Sequence, residues 1–112
     1  MRAVITGATS GIGKAMACQL AQDGWSLVLT GRNQTVLEQL QKNLPTAVEI
    51  LPLDLAEEEA PYQLFDFCKK KLVDLLVNNA GFGIFGRFTE TNLQEEMDLL
   101  AVNVRALHIL TK

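Results

Sequence analysis

The sequence is poor in the side chains that most often mark a catalytic or metal centre: of its 112 residues, two are cysteine, two serine, one histidine and one tyrosine. Cys18 and Cys68 are too few for a disulfide scaffold and stand at no metal-ligand spacing, so both are expected as reduced thiols packed against a sheet, with no metal bound. His108 has no acidic or serine partner at a motif spacing and reads as a surface or core histidine rather than a base. Cations are scarce as well. Ten Lys and Arg against thirteen Asp and Glu leave a formal net charge of −3. The one basic run, Lys69-Lys70-Lys71, reads as a solvated helix end, so a nucleic-acid partner, which needs a basic stripe, is not expected. No apolar segment approaches the roughly 20 residues of a membrane span, and Met1 leads straight into an apolar strand with no signal peptide, which points to a cytoplasmic protein without a membrane partner. Repeats, linkers and low-complexity segments are absent too.

What is present is a globular composition, 48% hydrophobic and 21% charged, in a chain of a length that lets one domain bury roughly two-thirds of its unfolded surface. Apolar runs alternate between strand and helix character. Ala3-Val4-Ile5 reads as a first strand, and Ile12, Met16 and Leu20 recur at helical spacing after it. Asp23-Gly24 stops that helix, and Ser26 to Thr30 is a buried parallel strand closed by Gly31-Arg32-Asn33. A second helix with Val36, Leu37, Leu40 and Leu44 on one stripe ends at Pro45, and Ala47 to Leu51 is a third strand. Asp54-Leu55-Ala56-Glu57 has the spacing of a capping box, although Pro61 places the main start of the third helix, with its stripe of Leu64, Phe65 and Cys68, nearer to itself. Leu72 to Asn78 is almost continuously apolar, as a strand covered on both faces should be. After a loop containing Phe82, Ile84, Phe85 and Phe88, Asn92 with Glu95 starts a last helix whose stripe is Leu93, Met97, Leu100, Val104 and Leu107. The alternation predicts a Rossmann-type, doubly wound α/β half-domain over residues 1–112, a parallel sheet in the order 3-2-1-4 with helices on both faces. Right-handed crossovers put the first two helices on one face and the third on the other, so Cys18 and Cys68 are expected too far apart to bridge.

The first strand-to-helix junction is Thr6-Gly7-Ala8-Thr9-Ser10-Gly11-Ile12-Gly13. A sharp turn that passes close to a partner excludes side chains, and it opens a helix whose first N–H groups lack intrahelical acceptors and attract phosphate. Thr6-Gly7-x-x-x-Gly11-x-Gly13, Asp54 after the third strand and Asn78-Asn79-Ala80-Gly81 after the fourth together resemble the short-chain dehydrogenase/reductase family, over the whole chain but over only the first half of that family's domain.

The resemblance implies a dinucleotide held by Gly7, Thr9, Ser10, Gly11, Ile12 and Gly13, with Asp54 accepting from the adenine amino group and Leu55 lining the ring. It implies that Asn79, Ala80 and Gly81 run along the adenosine side, Gly81 admitting the cofactor, and that Asn103 is the helix asparagine whose backbone carbonyl holds a relay water. An asparagine inside an otherwise apolar helix also costs helix propensity and offers a kink. The end of strand two faces the adenosine ribose. It carries Gly31-Arg32 where a carboxylate would select a free 2′-hydroxyl. A guanidinium can make paired charge-assisted hydrogen bonds to a 2′-phosphate, each worth roughly 1.5–3 kcal/mol, so NADP(H) is inferred in preference to NAD(H). Asn33 either shares that phosphate or caps the second helix, and one of Asn78 and Asn79 is expected to pin neighbouring strands. Gly13→Val is expected to abolish nucleotide binding while the fold is kept.

The family's chemistry is hydride transfer between nicotinamide and a carbonyl or alcohol carbon, with a tyrosine, a lysine four residues on and a serine as its catalytic groups. Tyr62 is followed at that spacing by Asp66, and Ser10 and Ser26 belong to the phosphate turn and strand two, so of that catalytic set only Asn103 has a counterpart. The chain is therefore expected to be truncated before a catalytic half that would take a small carbonyl or alcohol substrate. It is expected to be marginal alone or to form a homo-oligomer through the strand-four edge or last helix. Two alternatives remain open at this point: a non-catalytic NADP(H)-binding sensor or regulatory module, and an assembly fragment with no active site.

Overall fold

The computed structural model describes every residue except Ser10. Four parallel strands, β1 (Arg2–Ile5), β2 (Ser26–Gly31), β3 (Val48–Pro52) and β4 (Leu75–Val77), form one sheet in the order β3-β2-β1-β4. Registers run Ala3 opposite Leu27 and Leu75, and Leu27 opposite Val48. Residues opposite one another in these registers, and those two apart along a strand, therefore share a face. Ala3, Ile5, Leu27, Leu29 and Val48 meet Ala17 and Ala21 of α1 (Gly11–Gln22) and Leu37 and Leu40 of α2 (Gln34–Asn43) on one side. Val4 and Val28 meet Leu64 of α3 (Ala60–Cys68) on the other, with Leu51, Leu76, Phe67 and Leu110 around them. Cys18 packs on the first face and Cys68 on the second, both as free thiols. Burial pushes the Cys68 thiol above its ordinary value, and the Lys71 ammonium beside it partly reverses this.

Local signals set the element ends. Gly24, at φ +88°, turns the chain out of α1 while its N–H and that of Trp25 satisfy the carbonyls of Ala21 and Leu20. Asn33 Oδ1 accepts from Val36 N–H at 3.2 Å, so Asn33 caps α2. Pro61 sits in the first turn of α3, where its missing N–H costs nothing. Asn92 caps α4 (Leu93–Leu100) through Glu95 N–H at 3.1 Å. A π-helical stretch, Ala101–Ala106, continues α4 and passes into α5 (Leu107–Thr111).

Several expectations are corrected. The buried stripe of α1 is Gly13, Ala17 and Ala21, one position on from the expected one, and Ile12 is 71% exposed. Along the line of closest approach to the sheet the helix presents only small residues, with Cys18 and Leu20 packing at its flanks. In α3, Phe65 is exposed and Phe67 packs inward instead. The fourth strand is three residues long and half-buried, since it pairs only with β1, and Leu72 is 85% exposed. Leu93, Met97, Leu100, Val104 and Leu107 do form a stripe, but it is exposed; Ala101, Val102 and Ala106 are what the last helix buries. Asp54 is no helix cap: its Oδ1 accepts from Ala56 N–H at 3.0 Å in a local turn six residues ahead of α3. Lys71 is not merely solvated, because it pairs with Glu49 at 3.0 Å and lies 4.9 Å from the centre of the Phe67 ring.

Candidate cofactor cleft

Every element that faces the first turn contributes to its shape. Thr6, 1% exposed at the end of β1, donates its N–H to Val77 O at 3.1 Å, and its hydroxyl oxygen accepts from Asn79 N–H at 3.1 Å and Ala80 N–H at 2.9 Å. That hydroxyl stitches the ends of β1 and β4 together. Thr6→Val keeps the shape but strands the Ala80 amide, and should lower stability by about 2 kcal/mol in chemical denaturation, within the roughly 1–3 kcal/mol range for a buried unsatisfied group. A variant as stable as the parent would refute this account of the junction.

Gly7 follows at φ +63°, and a Cβ there would stand 2.9 Å from Ala80 Cα. Asn79 Nδ2 donates to Gly7 O at 3.0 Å, and Gly13 tucks beneath, where a Cβ would be 2.2 Å from that same carbonyl oxygen. Gly13 thus keeps helix and turn in contact. The expectation that its replacement would spare the fold is corrected, because the obstructed partner is the protein's own backbone. Gly11, at φ +53°, has nothing within 4 Å of a hypothetical Cβ; its need is conformational. Thr9 lies over Gly31, whose Cβ would come within 2.7 Å of the threonine methyl. Ile12 projects outward, and Ser10, expected at the phosphate, lies outside the described residues. The first turn of α1 carries Lys14 and no acidic side chain, so no fixed carboxylate competes for its N–H groups.

Beside this turn opens a cleft of about 150 Å³ lined by Gly7, Gly31, Arg32, Asp54, Leu55, Ala80 and Gly81, and also by Thr30, Leu53, Ala56, Phe82, Asp98 and Val102. A second cavity of about 390 Å³ adjoins it through Arg32, Phe82 and Asp98. The second is in the range of roughly 300–1,000 Å³ usual for small-molecule sites, and the first extends it inward. Leu55 is buried among Ala60, Val102 and Ala106, so the cleft wall is backed by core. Arg32 is exposed at the rim, and Asn33, beside it, has its side-chain oxygen engaged in the helix cap.

Asn103 is placed by the π-helical stretch. Its Oδ1 accepts from Phe82 N–H at 3.0 Å and its Nδ2 donates to Phe82 O at 2.7 Å, a paired bond that fixes the backbone just after Gly81. Gly81 leaves room for it, since a Cβ there would lie 3.0 Å from Asn103 Oδ1. Asn78 instead donates to Thr111 Oγ1 at 2.8 Å, tying β4 to α5, so of the two asparagines it is Asn79 that holds the turn. Tyr62 and His108 are exposed and line neither cavity. Among the described residues no group of three His, Cys, Asp or Glu side chains is placed to hold a metal, and no helix is long and apolar enough to cross a membrane.

Of the lining residues, Thr30, Leu53, Ala56, Asp98 and Val102 are not marked by the sequence motifs. Val102 had a signal, its place directly before Asn103. Asp98 had none, because its approach depends on where α4 stands in space, which no local pattern sets. The family model for short chain dehydrogenases matches residues 1–112. The chain belongs to the short-chain dehydrogenase family. It is 33% identical to an uncharacterized oxidoreductase of Staphylococcus epidermidis, over 96% of this chain and 48% of that protein. It is 37% identical to a very-long-chain 3-oxoacyl-CoA reductase of Vanderwaltozyma polyspora, over 97% and 34%. Among solved structures, a short-chain dehydrogenase of Sphingobium yanoikuyae in complex with NADPH superposes with a TM-score of 0.90 at 30% identity, over 98% of this chain and 45% of that one. L-Sorbose reductase of Gluconobacter frateurii, complexed with NADPH and L-sorbose, gives 0.87 at 29%, over 98% and 44%. This short-chain dehydrogenase chain spans between about a third and a half of the length of the curated relatives it matches.

Proposed function

We propose that the chain is the cofactor-binding half of an NADP(H)-dependent oxidoreductase acting between a carbonyl and an alcohol. The observation that carries this reading is a guanidinium, Arg32, on the rim of the cleft that the glycine turn, Asp54 and Gly81 enclose. The residues fit the group. Gly7, Gly11 and Gly13 keep side chains out of the turn, and α1 meets it with an N-terminus free of carboxylates. Asp54 and Leu55 would hold the adenine, Arg32 the 2′-phosphate, and Ala80 and Gly81 the adenosine side, with Thr9, Ile12 and the remaining turn residues around the diphosphate. The nicotinamide supplies the hydride chemistry when bound. Asn103, through Phe82, keeps the cleft edge in place for it.

NADPH complexes of structural relatives support the dinucleotide class, and Arg32 supports the phosphorylated form. Substrate contacts and the remaining catalytic groups belong, on this reading, to a longer polypeptide. The exposed stripe from Leu93 to Leu107 and the outer edge of β4 are the surfaces that such a remainder or a second copy would cover. A second reading, a non-catalytic NADP(H)-binding module, draws on the cleft lining, which among the described residues holds no tyrosine, lysine or serine. Titration calorimetry with NADPH and NADH tests the shared part: NADPH should bind at least about tenfold tighter, and equal affinities, or none for either, would reject it. NADPH oxidation by the longer polypeptide with simple ketones then separates enzyme from module.

A further inference from the structure

Asp98 brings a carboxylate into the space where Arg32 is exposed. It is half-buried on α4, Gln94 Nε2 donates to its Oδ1 at 2.9 Å, and it lines both the inner cleft, with Arg32 and Asp54, and the adjoining cavity, with Arg32 and Glu95. We propose that Asp98 is a specificity-determining residue that weakens the hold of this cleft on a 2′-phosphate, opposing Arg32. The inference rests on the NADP(H) reading above.

The argument is one of sign. A phosphate monoester at neutral pH carries between one and two negative charges, and in the Arg32 cavity it meets one guanidinium together with the carboxylates of Asp98 and, toward the outside, Glu95. Arg32 attracts it and Asp98 repels it, whereas a free 2′-hydroxyl carries no charge and is indifferent to both. Before the phosphate arrives, the guanidinium has Asp98 as an alternative counter-charge within the same cavity, which lowers the net gain on binding. Gln94, one turn earlier on α4, holds the carboxylate, so Asp98 acts from a defined place rather than as a swinging surface charge. Glu95 faces only the outer cavity and should do the same more weakly.

Asp98→Asn keeps the shape and the acceptor for Gln94 while removing the charge. Titrated at low ionic strength, that variant should bind NADPH about three- to tenfold tighter than the parent, with NADH affinity unchanged within about twofold, and the gain should shrink as salt brings the screening length below about 8 Å. Glu95→Gln should move NADPH affinity in the same direction by less. An unchanged NADPH affinity, or an equal change for both dinucleotides, would overturn the role of Asp98 even if Arg32→Asp selectively abolishes NADPH binding. If the parent itself shows no preference for NADPH over NADH, the underlying reading fails first, and the two failures are thereby told apart. A thermal melt of each variant guards against misfolding, and an unfolded Asp98→Asn would also count against a purely electrostatic role.

Discussion

An Arg32→Asp chain should bind NADPH at least about 100-fold more weakly than the parent, while its affinity for NADH changes by no more than about threefold. The magnitude follows from two charge-assisted hydrogen bonds of roughly 1.5–3 kcal/mol each, lost and replaced by repulsion, at about 1.4 kcal/mol per tenfold. Selectivity follows from position. Arg32 stands at the rim of the cleft directly after the end of β2, where an adenosine without the 2′-phosphate has no charge for it to grip. Because Arg32 is exposed and has no part in the core, the variant should melt within about 2 °C of the parent, as surface substitutions generally do. Equal losses for both dinucleotides would mean that Arg32 serves the shape of the cleft and not the phosphate.

Gly13→Val should act on the fold itself. A Cβ at this position would stand 2.2 Å from Gly7 O and 2.4 Å from Asn79 Nδ2, so either helix α1 lifts off the sheet or the bond between Asn79 and Gly7 breaks. Lifting the helix opens the interface of Ala17 and Ala21 with Ile5 and Leu29, and breaking the bond releases the junction of β1 with β4. Overpacking commonly costs about 1–3 kcal/mol; a backbone collision joined to a lost buried contact should exceed about 3 kcal/mol and lower the melting temperature by about 10 °C or more. Circular dichroism on heating reads this directly. A Gly13→Val chain that melts with the parent yet has lost NADPH would return Gly13 to the cofactor and contradict the packing described above.

The parts legible in the sequence were those carried by strongly patterned residues. Buried parallel strands announce themselves by continuous apolar runs, as at Leu27 to Leu29; the strand order follows from the doubly wound alternation, and, given that order, right-handed crossovers place Cys18 and Cys68 on opposite faces. Capping side chains such as Asn33 and Asn92 were readable because each acts within three residues of itself. What escaped depends on distances between elements. The stripe of α1 was misassigned by one position because the close-packed face uses Gly13, Ala17 and Ala21, which score as less apolar than Ile12, Met16 and Leu20 beside them. In the last helix the apolar stripe is real but has no partner among the described residues, and burial goes to Ala101, Val102 and Ala106, where the π-helical stretch alters the helical phase. The cleft followed the same division. Gly7, Arg32, Asp54 and Gly81 are readable from motif spacing, whereas Phe82 is held there by Asn103 and Asp98 reaches it only through the placement of α4 beside the loop.

The most direct measurement is an amide-resolved NMR titration of the chain with 2′,5′-ADP and, separately, 5′-AMP, ligands that share the adenosine and differ in the phosphate Arg32 would meet. The account predicts shifts confined to Gly7 through Gly13, Gly31, Arg32, Asp54, Leu55, Ala80 and Gly81, with 2′,5′-ADP binding at least about tenfold tighter. Shifts outside that cleft, or the same affinity for both ligands, would contradict it.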